Sequence, residues 1–238
     1  MRSSPSGPDP LDPGAAGFAH RGLHSGLAVP ENSLAAFDAA IDLRAGIECD
    51  LRLTADDRII VFHDSDARRL CESPLQVGKT MWKDLASLRV SGHPIPLLEN
   101  LLEQVAGRVP LLLEVKTQHD VRRWSPALSR ELAGYRGPFG ILSFDPRLVG
   151  RLRSEMPGVR RGLNVSDGLS ALRRNIGMRR AAPDFLGVER TAIGKTWVAN
   201  ARNAMPIYCW TIRTAAERTQ AEVHADALIW ESDGRPRT

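Results

Sequence analysis

The chain has 238 residues, of which 42% are hydrophobic and 25% are charged, and its formal net charge is +4. These values are typical of a globular protein with one sizeable core, and no apolar run approaches the ~20 residues of a membrane span. No run of Lys and Arg with interleaved aromatic residues occurs, which argues against a nucleic-acid partner.

The N-terminal segment and the cysteines indicate the domain boundary and the expected cellular compartment. Residues 1–16 are rich in Pro, Gly and Ser and lack the apolar core of a signal peptide, so we expect a disordered tail followed by one domain over 17–238. The cysteines, Cys49, Cys71 and Cys209, form no C-x-x-C motif or disulfide framework. This usage favours a reducing compartment, and the expected location is the cytoplasm.

From Gly17 onward, short apolar runs alternate with longer amphipathic ones. The predicted strands are 17–20, 46–52, 58–63, 110–115, 138–143, 159–163, 184–188, 206–211 and 226–230. The predicted helices are 33–45, 97–105, 125–133, 147–155, 168–178, 196–203 and 215–224. This alternation indicates βαβ units around a parallel sheet and predicts an α/β protein, a (β/α)8 TIM barrel. A doubly wound open sheet is the alternative.

One interval departs from the alternation. Residues 54–57 are too few to hold a helix between the second and third predicted strands, so those strands form a hairpin-like extension. An irregular stretch follows, and we expect a small insertion over about 64–95.

Polar residues stand where the predicted strands end, which is where barrel enzymes carry their catalytic groups. In chain order these residues are His20-Arg21, Glu48 and Asp50, His63-Asp64, Glu114 and Lys116, Ser143, Asn164, Glu189, Trp210 and Glu231. The sequence therefore predicts a polar site at one end of the barrel.

The carboxylates predict a metal site. Glu48 and Asp50 are two positions apart in a strand and point to the same side, as do Glu114 and Lys116. Three carboxylates in one pocket repel one another unless they are protonated or bind a cation, and hard oxygen ligands favour Mg2+ or Ca2+. The alternative is that Lys116 and Arg21 neutralise them by ion pairing.

His20 and His63 are the candidate acid/base pair, because imidazole titrates near neutrality. Arg21 and Lys116 are the candidate phosphate-binding residues, Arg21 by its two-pronged guanidinium and Lys116 as a point charge. This combination favours phosphoryl chemistry, and neither a G-x-S-x-G motif nor a P-loop is present.

An ordered set of short motifs resembles the glycerophosphodiester phosphodiesterase family. The motifs are His20-Arg21-Gly22, Pro30-Glu31-Asn32-Ser33, Ala36-Phe37, Gly46-Ile47-Glu48-Cys49-Asp50, Val61-Phe62-His63-Asp64, Ile95-Pro96-Leu97-Leu98-Glu99, Leu113-Glu114-Val115-Lys116 and Ser143-Phe144-Asp145.

The resemblance implies hydrolysis of a small-molecule glycerophosphodiester to an alcohol and sn-glycerol 3-phosphate, in a barrel with a small insertion after the second strand. It implies these roles: Glu48, Asp50 and Glu114 as metal ligands, His20 and His63 as acid/base pair, and Arg21 and Lys116 near the phosphate. Glu31 is expected to hold Arg21 or a histidine. Asn32 or Ser33 is expected to cap the following helix, and Asn32 also to approach the substrate.

The last third departs from the family. Arg213 stands where the family has Asn, Trp230 where it has Thr, and Glu231 where it has Asp. We expect Trp230 to narrow or re-line the pocket at its rim, with Ser143 and Trp210 as further candidate pocket residues. Asp57 replaces a turn glycine, at a small cost if its φ is positive.

Two other functions stay open at this level. A lysophospholipase D-like or sphingomyelinase D-like barrel would need an apolar channel, to which Trp82, Leu97 and Trp230 are the candidate contributors. A barrel could also bind phosphate esters without turnover, since fold alone does not decide function. The sequence does not indicate an oligomeric state.

Overall fold

The structure, a computed structural model, describes residues 11–117 and 120–236. Its strands are β1 (Phe18–His20), β2 (Gly46–Leu53), β3 (Ile59–Val61), β4 (Arg89–Val90), β5 (His93–Pro94), β6 (Leu111–Val115), β7 (Phe139–Ser143), β8 (Arg160–Val165), β9 (Phe185–Glu189), β10 (Ile207–Ile212) and β11 (Ala227–Trp230). Its α-helices are α1 (Leu34–Asp42), α2 (Arg68–Cys71), α3 (Trp82–Leu85), α4 (Leu98–Val105), α5 (Trp124–Leu132), α6 (Pro146–Glu155), α7 (Ala171–Ala181), α8 (Thr196–Arg202) and α9 (Ala215–Glu222).

Eight parallel strands form a closed sheet. The pairing runs β1-β11-β10-β9-β8-β7-β6-β2, and β1 also pairs in parallel with β2, which joins the two ends. Helices lie between successive strands along the chain, as βαβ units require. The predicted (β/α)8 barrel is confirmed, and closure excludes the open doubly wound sheet.

The second strand is extended as predicted. β3 pairs antiparallel with the end of β2, and Asp57 in the connecting turn has a φ of 58°. The chain beyond β3 contains α2, α3 and the β4-β5 hairpin, which pack on an apolar cluster of their own with Phe62 and Leu85 at its centre. Trp82 and Leu97 belong to this cluster, so they are packing residues of the insertion.

The alternation along β2 sorts side chains between two environments. Ile47, Cys49 and Leu51 lie in the large core cluster between the sheet and the helices, together with Phe37 of α1. Side chains two positions apart point to the same side, so Glu48 and its neighbours on the other parity lie inside the barrel. The apolar side chains of β2 therefore pack against the helices outside the sheet, and its carboxylates lie inside the barrel.

The floor of the barrel interior is apolar. Phe185 and Tyr208 stack there with ring centroids 4.8 Å apart, and Phe18 lies 5.9 Å from Tyr208. Gly162 makes room for this layer, because a Cβ at that position would lie 2.3 Å from the Phe185 ring. Leu11 is fully buried in the same cluster. The polar end of the barrel is thus separated from the opposite end by a packed hydrophobic layer.

The N-terminal boundary differs from the prediction. Leu11 is buried and residues Gly14–Ala16 form a 3-10 helix, so at least residues 11–16 belong to the folded body. Proline and glycine content predicts disorder here, but the side chain of Leu11 packs into the apolar cluster of the barrel floor. Residues 1–10, where the rest of the predicted tail falls, lie outside the described residues.

Among the helices within 11–117 and 120–236, none has both the length and the apolar character needed to cross a bilayer.

Candidate active site

Three carboxylates lie together inside the barrel at the carboxyl ends of β2 and β6. Glu48, Asp50 and Glu114 are 2%, 0% and 8% exposed. One oxygen of each lies within 4.8 Å of an oxygen of the other two. β2 and β6 are adjacent and in register, with Asp50 opposite Glu114, which is why residues 64 positions apart in sequence meet here.

Two cations compensate part of this negative charge. Arg21 Nε lies 3.1 Å from Asp50 Oδ2, and Lys116 Nζ lies 2.9 Å from Asp50 Oδ1. Lys116 also contacts the Glu114 carboxylate. Glu48 receives less: its Oε2 accepts from the Arg21 backbone N at 3.1 Å, while its buried Oε1 has no hydrogen-bond partner. The ion-pair alternative therefore accounts for Asp50 and Glu114, whereas no Lys or Arg side chain in the part of the chain that the structure describes pairs directly with Glu48.

The pKa values of the three carboxyl groups differ because Arg21 and Lys116 lie closer to some of them than to others. Burial raises the pKa of Glu48 well above its ordinary value, and the charges of Asp50 and Glu114 raise it further. Burial also raises the pKa of Glu114. Burial alone would raise the pKa of Asp50, but Lys116 and Arg21 hold it below its ordinary value. Lys116 and Arg21 thus favour the ionised form of Asp50, whereas burial and the neighbouring carboxylates oppose ionisation of Glu48.

Two asparagines support the carboxylates. Asn32 Nδ2 donates to Asp50 Oδ2 at 2.8 Å, and Asn164 Nδ2, from β8, donates to Glu114 Oε2 at 3.2 Å. Of Asn32 and Ser33, the two candidate caps of α1, Ser33 caps the helix: its Oγ accepts from Ala36 N at 3.1 Å. Asn32 has a φ of 56°, and this left-handed turn directs its amide into the barrel instead.

Each predicted histidine is held by a carboxylate through Nδ1. His20 Nδ1 lies 2.6 Å from Glu231 Oε2, just beyond β11, and His63 Nδ1 lies 2.7 Å from Asp64 Oδ1. His20 Nε2 is 3.9 Å from Glu48 Oε2. Burial lowers the pKa of His20 despite the hydrogen bond to Glu231, and burial also lowers the pKa of His63. Burial therefore favours the neutral form of both rings.

Sequence reasoning did not assign a role to the insertion, which contributes Arg69 to the site's surroundings. Arg69 Nε donates to Asp64 Oδ2 at 2.7 Å, and Arg69 Nη2 donates to Glu31 Oε1 at 2.8 Å. Glu31 in turn accepts from Arg21 Nη1 at 2.8 Å, as expected. One arginine thus links the partner of His63 to the partner of Arg21, and only the tertiary fold reveals this.

A cavity of about 240 Å³ opens over these groups. The predicted residues that line it are His20, Arg21, Glu48, His63, Glu114, Lys116 and Trp210. Phe144 packs edge-on against Trp210, with centroids 5.4 Å apart, and forms an aromatic wall. Arg213 also lines the cavity, where its half-exposed guanidinium forms a positively charged edge.

Two predicted pocket residues are not in the cavity. Ser143 is 1% exposed, and its Oγ donates to Val115 O at 2.8 Å and accepts from Asp145 N at 3.2 Å, so it shapes the turn after β7. Trp230 is 1% exposed and its Nε1 donates to Ala16 O at 2.7 Å. The expectation that Trp230 narrows the rim is wrong, because it faces outward beneath the N-terminal segment. Trp82, Leu97 and Trp230 were the candidate residues of an apolar channel for a lyso-lipid. None of the three lines the cavity.

The residues present fit a divalent cation. Every available donor in the cluster is a carboxylate oxygen, the donor type that Mg2+ and Ca2+ prefer. Glu48 Oε1 is a buried acceptor with no partner among the described residues, and a cation would satisfy it.

Comparison with known proteins agrees with this architecture. The Bacillus subtilis protein YhdW is 28% identical over 225 residues, covering 87% of this chain and 89% of its own length. A glycerophosphodiester phosphodiesterase of Bacillus altitudinis is 32% identical over 116 residues, 45% of this chain and 46% of its own.

A solved structure and a family profile extend the match over most of the chain. The structure of an Oleispira antarctica phosphodiesterase in complex with its product sn-glycerol-3-phosphate superimposes with a TM-score of 0.81 at 22% identity, covering 91% of this chain and 92% of that one. The sequence also matches the glycerophosphoryl diester phosphodiesterase family over residues 20–232. These residues include every carboxylate, histidine and cation of the cavity, and the chain belongs to the glycerophosphoryl diester phosphodiesterase family.

Proposed function

We propose that this protein hydrolyses glycerophosphodiesters to an alcohol and sn-glycerol 3-phosphate, with a divalent cation held by Glu48, Asp50 and Glu114 and with His20 and His63 as acid/base pair. The observation that carries the proposal is the cluster of three buried carboxylates beside Arg21 and Lys116, bordered in one cavity by both histidines.

The cavity binds the substrate through its phosphate group. Arg21 and Lys116 present the positive charge that a phosphodiester needs, and both line the cavity wall. Glu31 and Asp50 hold the Arg21 side chain from two sides, at 2.8 Å and 3.1 Å, so its guanidinium is oriented before the substrate arrives. Such preorganisation lowers the cost of binding the anion.

A divalent cation held by Glu48, Asp50 and Glu114 would supply Lewis-acid chemistry: it would favour ionisation of a hydroxyl and offset negative charge on the phosphoryl group.

The histidines supply proton transfer. One ring, with Nε2 unprotonated, accepts the proton of the attacking hydroxyl as its oxygen bonds to phosphorus. The other ring enters the step as the imidazolium and donates its Nε2 proton to the alkoxide oxygen as the old P–O bond breaks. With Nδ1 of each ring engaged by a carboxylate, Nε2 is the nitrogen left for this exchange. We assign acid and base roles to the two histidines as a pair, without dividing the roles between them. The attacking hydroxyl belongs either to water or to C2 of the glycerol.

The substrate class follows from the family and from its chemistry. The Oleispira antarctica phosphodiesterase was solved with sn-glycerol-3-phosphate as its product. A 240 Å³ cavity with cationic and aromatic walls has room for a glycerol phosphate and the first atoms of an alcohol group. The rest of the alcohol extends toward solvent.

Release of sn-glycerol 3-phosphate from glycerophosphocholine tests the proposal. We expect product from the native protein, and a loss of about 100-fold or more in kcat for His20→Ala and for His63→Ala, because positioned acid/base groups contribute on this order. His224→Ala is the matched control, since His224 follows α9 at the opposite end of the barrel. Full activity of both site variants would refute the acid/base assignment.

A further inference from the structure

The carboxylate beside His20 is itself held from a second side. Glu231 Oε2 lies 2.6 Å from His20 Nδ1, and Glu231 Oε1 lies 2.6 Å from Arg213 Nε. Both oxygens of one side chain are therefore committed, one to the histidine and one to the arginine. His24 adds a weaker contact, with its Nε2 3.7 Å from Glu231 Oε2.

The backbone fixes the two residues relative to each other. Glu231 N donates to Ile212 O at 2.9 Å, so the end of β11 is tied to the residue before Arg213. Arg213 N donates to Glu217 Oε2 at 2.7 Å, which anchors the same point to the first turn of α9. The ion pair thus spans two neighbouring strand ends whose spacing is already set.

An ionised carboxylate only accepts hydrogen bonds, so the ring nitrogen facing it must carry the proton. His20 is therefore the Nδ1–H tautomer, with Nε2 unprotonated and directed to the cavity side, 3.9 Å from Glu48 Oε2. We propose that Glu231 and Arg213 act as a positioning pair that fixes the tautomer and orientation of His20, with Arg213 acting through Glu231. This inference rests on the function proposed above.

The same pair explains two departures from the family pattern as one feature. In the resemblance to the family, Glu231 matches an aspartate of the pattern and Arg213 matches an asparagine, and here the two side chains carry opposite charges. One carboxylate oxygen of Glu231 contacts His20, and the second contacts the Arg213 guanidinium.

The His20 tautomer is tested by side-chain 15N NMR of the metal-free protein at neutral pH, with the signal assigned by its loss in His20→Asn. We expect the Nδ1–H form in the native protein and in Glu231→Asp, and a mixture of tautomers in Glu231→Gln. An unchanged tautomer in Glu231→Gln would overturn the proposal. This readout needs no turnover, so it can fail or succeed separately from the proposed function.

Kinetics test whether the pair acts on the reaction. Glu231→Gln should lower kcat about 10- to 100-fold at little cost to KM, as for other groups that orient a reacting side chain. Arg213→Asn should lower kcat about two- to fivefold, because a half-exposed ion pair contributes modestly. In the double variant the Arg213 change should have no further effect.

Arg202→Asn is the matched control, since it breaks an exposed pair with Asp226, at 2.9 Å, on the other end of the barrel. We expect native kcat for this variant. Full additivity of the Arg213 and Glu231 changes, or a loss confined to KM, would contradict a positioning role.

Discussion

Asn32 and Asp50 bond to each other twice. Asn32 Nδ2 donates to Asp50 Oδ2 at 2.8 Å, and the Asp50 backbone N donates to Asn32 Oδ1 at 3.2 Å. The pair ties the turn before α1 to the middle of the proposed metal site, so Asn32 sets the position of a proposed metal ligand.

Asn32→Ala removes both bonds and leaves buried polar atoms unpaired. We expect a loss of about 1–3 kcal/mol in the free energy of unfolding and a metal affinity about tenfold weaker. Urea unfolding and calorimetric titration with Mg2+ or Ca2+ measure the two effects. Ser33→Ala is the adjacent control: loss of the cap should cost about 0.5–2 kcal/mol and leave metal affinity unchanged. Equal metal affinities of both variants would contradict the role given to Asn32.

Glu48→Gln should stabilise the metal-free protein at neutral pH. Burial raises the pKa of Glu48, and Asp50 and Glu114 raise it further, so the folded state binds this proton more tightly than the unfolded state does. The contribution of Glu48 is thus fully present in acid and is lost as pH rises through its folded pKa. A neutral amide avoids that loss, and each kcal/mol corresponds to about 2–4 °C in Tm.

Thermal unfolding at several pH values checks this. The gain in Glu48→Gln should shrink as pH falls below the ordinary carboxyl range, and excess Mg2+ or Ca2+ should raise the Tm of the native protein but not of the variant. Glu103→Gln, on the exposed face of α4, is the control and should change little. A lower Tm for Glu48→Gln at neutral pH without metal would show that Glu48 is well compensated.

Asp64 should have the opposite pH dependence. Burial alone would raise its pKa, but hydrogen bonds from Arg69 and His63 lower the pKa of Asp64 to about 2. Its stabilising contribution is therefore present at neutral pH and lost as pH falls from the ordinary aspartate range toward 2. We expect Asp64→Asn to unfold at lower urea concentration at neutral pH and to match the native protein in strong acid. A constant difference across this range would exclude the ionic contribution.

Leu11→Ala tests the barrel floor. Leu11 is fully buried in the cluster with Phe185 and Tyr208, so truncation should cost about 2–5 kcal/mol by urea unfolding. Turnover under folding conditions should stay near native, because the aromatic layer separates Leu11 from the cavity. Leu27→Ala, at a side chain that is 82% exposed, should change stability by less than about 0.5 kcal/mol. A similar small effect at Leu11 would mean that the segment is not part of the folded body.

The sequence predicted side-chain direction where charge and apolar residues alternate. In β2, Glu48 and Asp50 alternate with Ile47, Cys49 and Leu51. This alternation predicts which side chains face the barrel interior, and the structure agrees with it. Strands that are apolar on both faces carry no such signal.

Both pocket errors came from strands of that kind. In β7, Leu142 lines the cavity and Ser143 does not; in β11, Ile229 lines it and Trp230 does not. The contacts of Glu231 with His20 and of Arg69 with Glu31 join positions 211 and 38 residues apart, and only the closed barrel brings them together.

Metal depletion and reconstitution is the most direct test of the central claim. The release of sn-glycerol 3-phosphate from glycerophosphocholine is measured for protein treated with EDTA and then supplied with Mg2+ or Ca2+, in the native chain and in Glu48→Gln. The account predicts that EDTA abolishes product release, that one of the two ions restores it, and that Glu48→Gln is not restored. Product release that is unchanged by EDTA and by Glu48→Gln would contradict it.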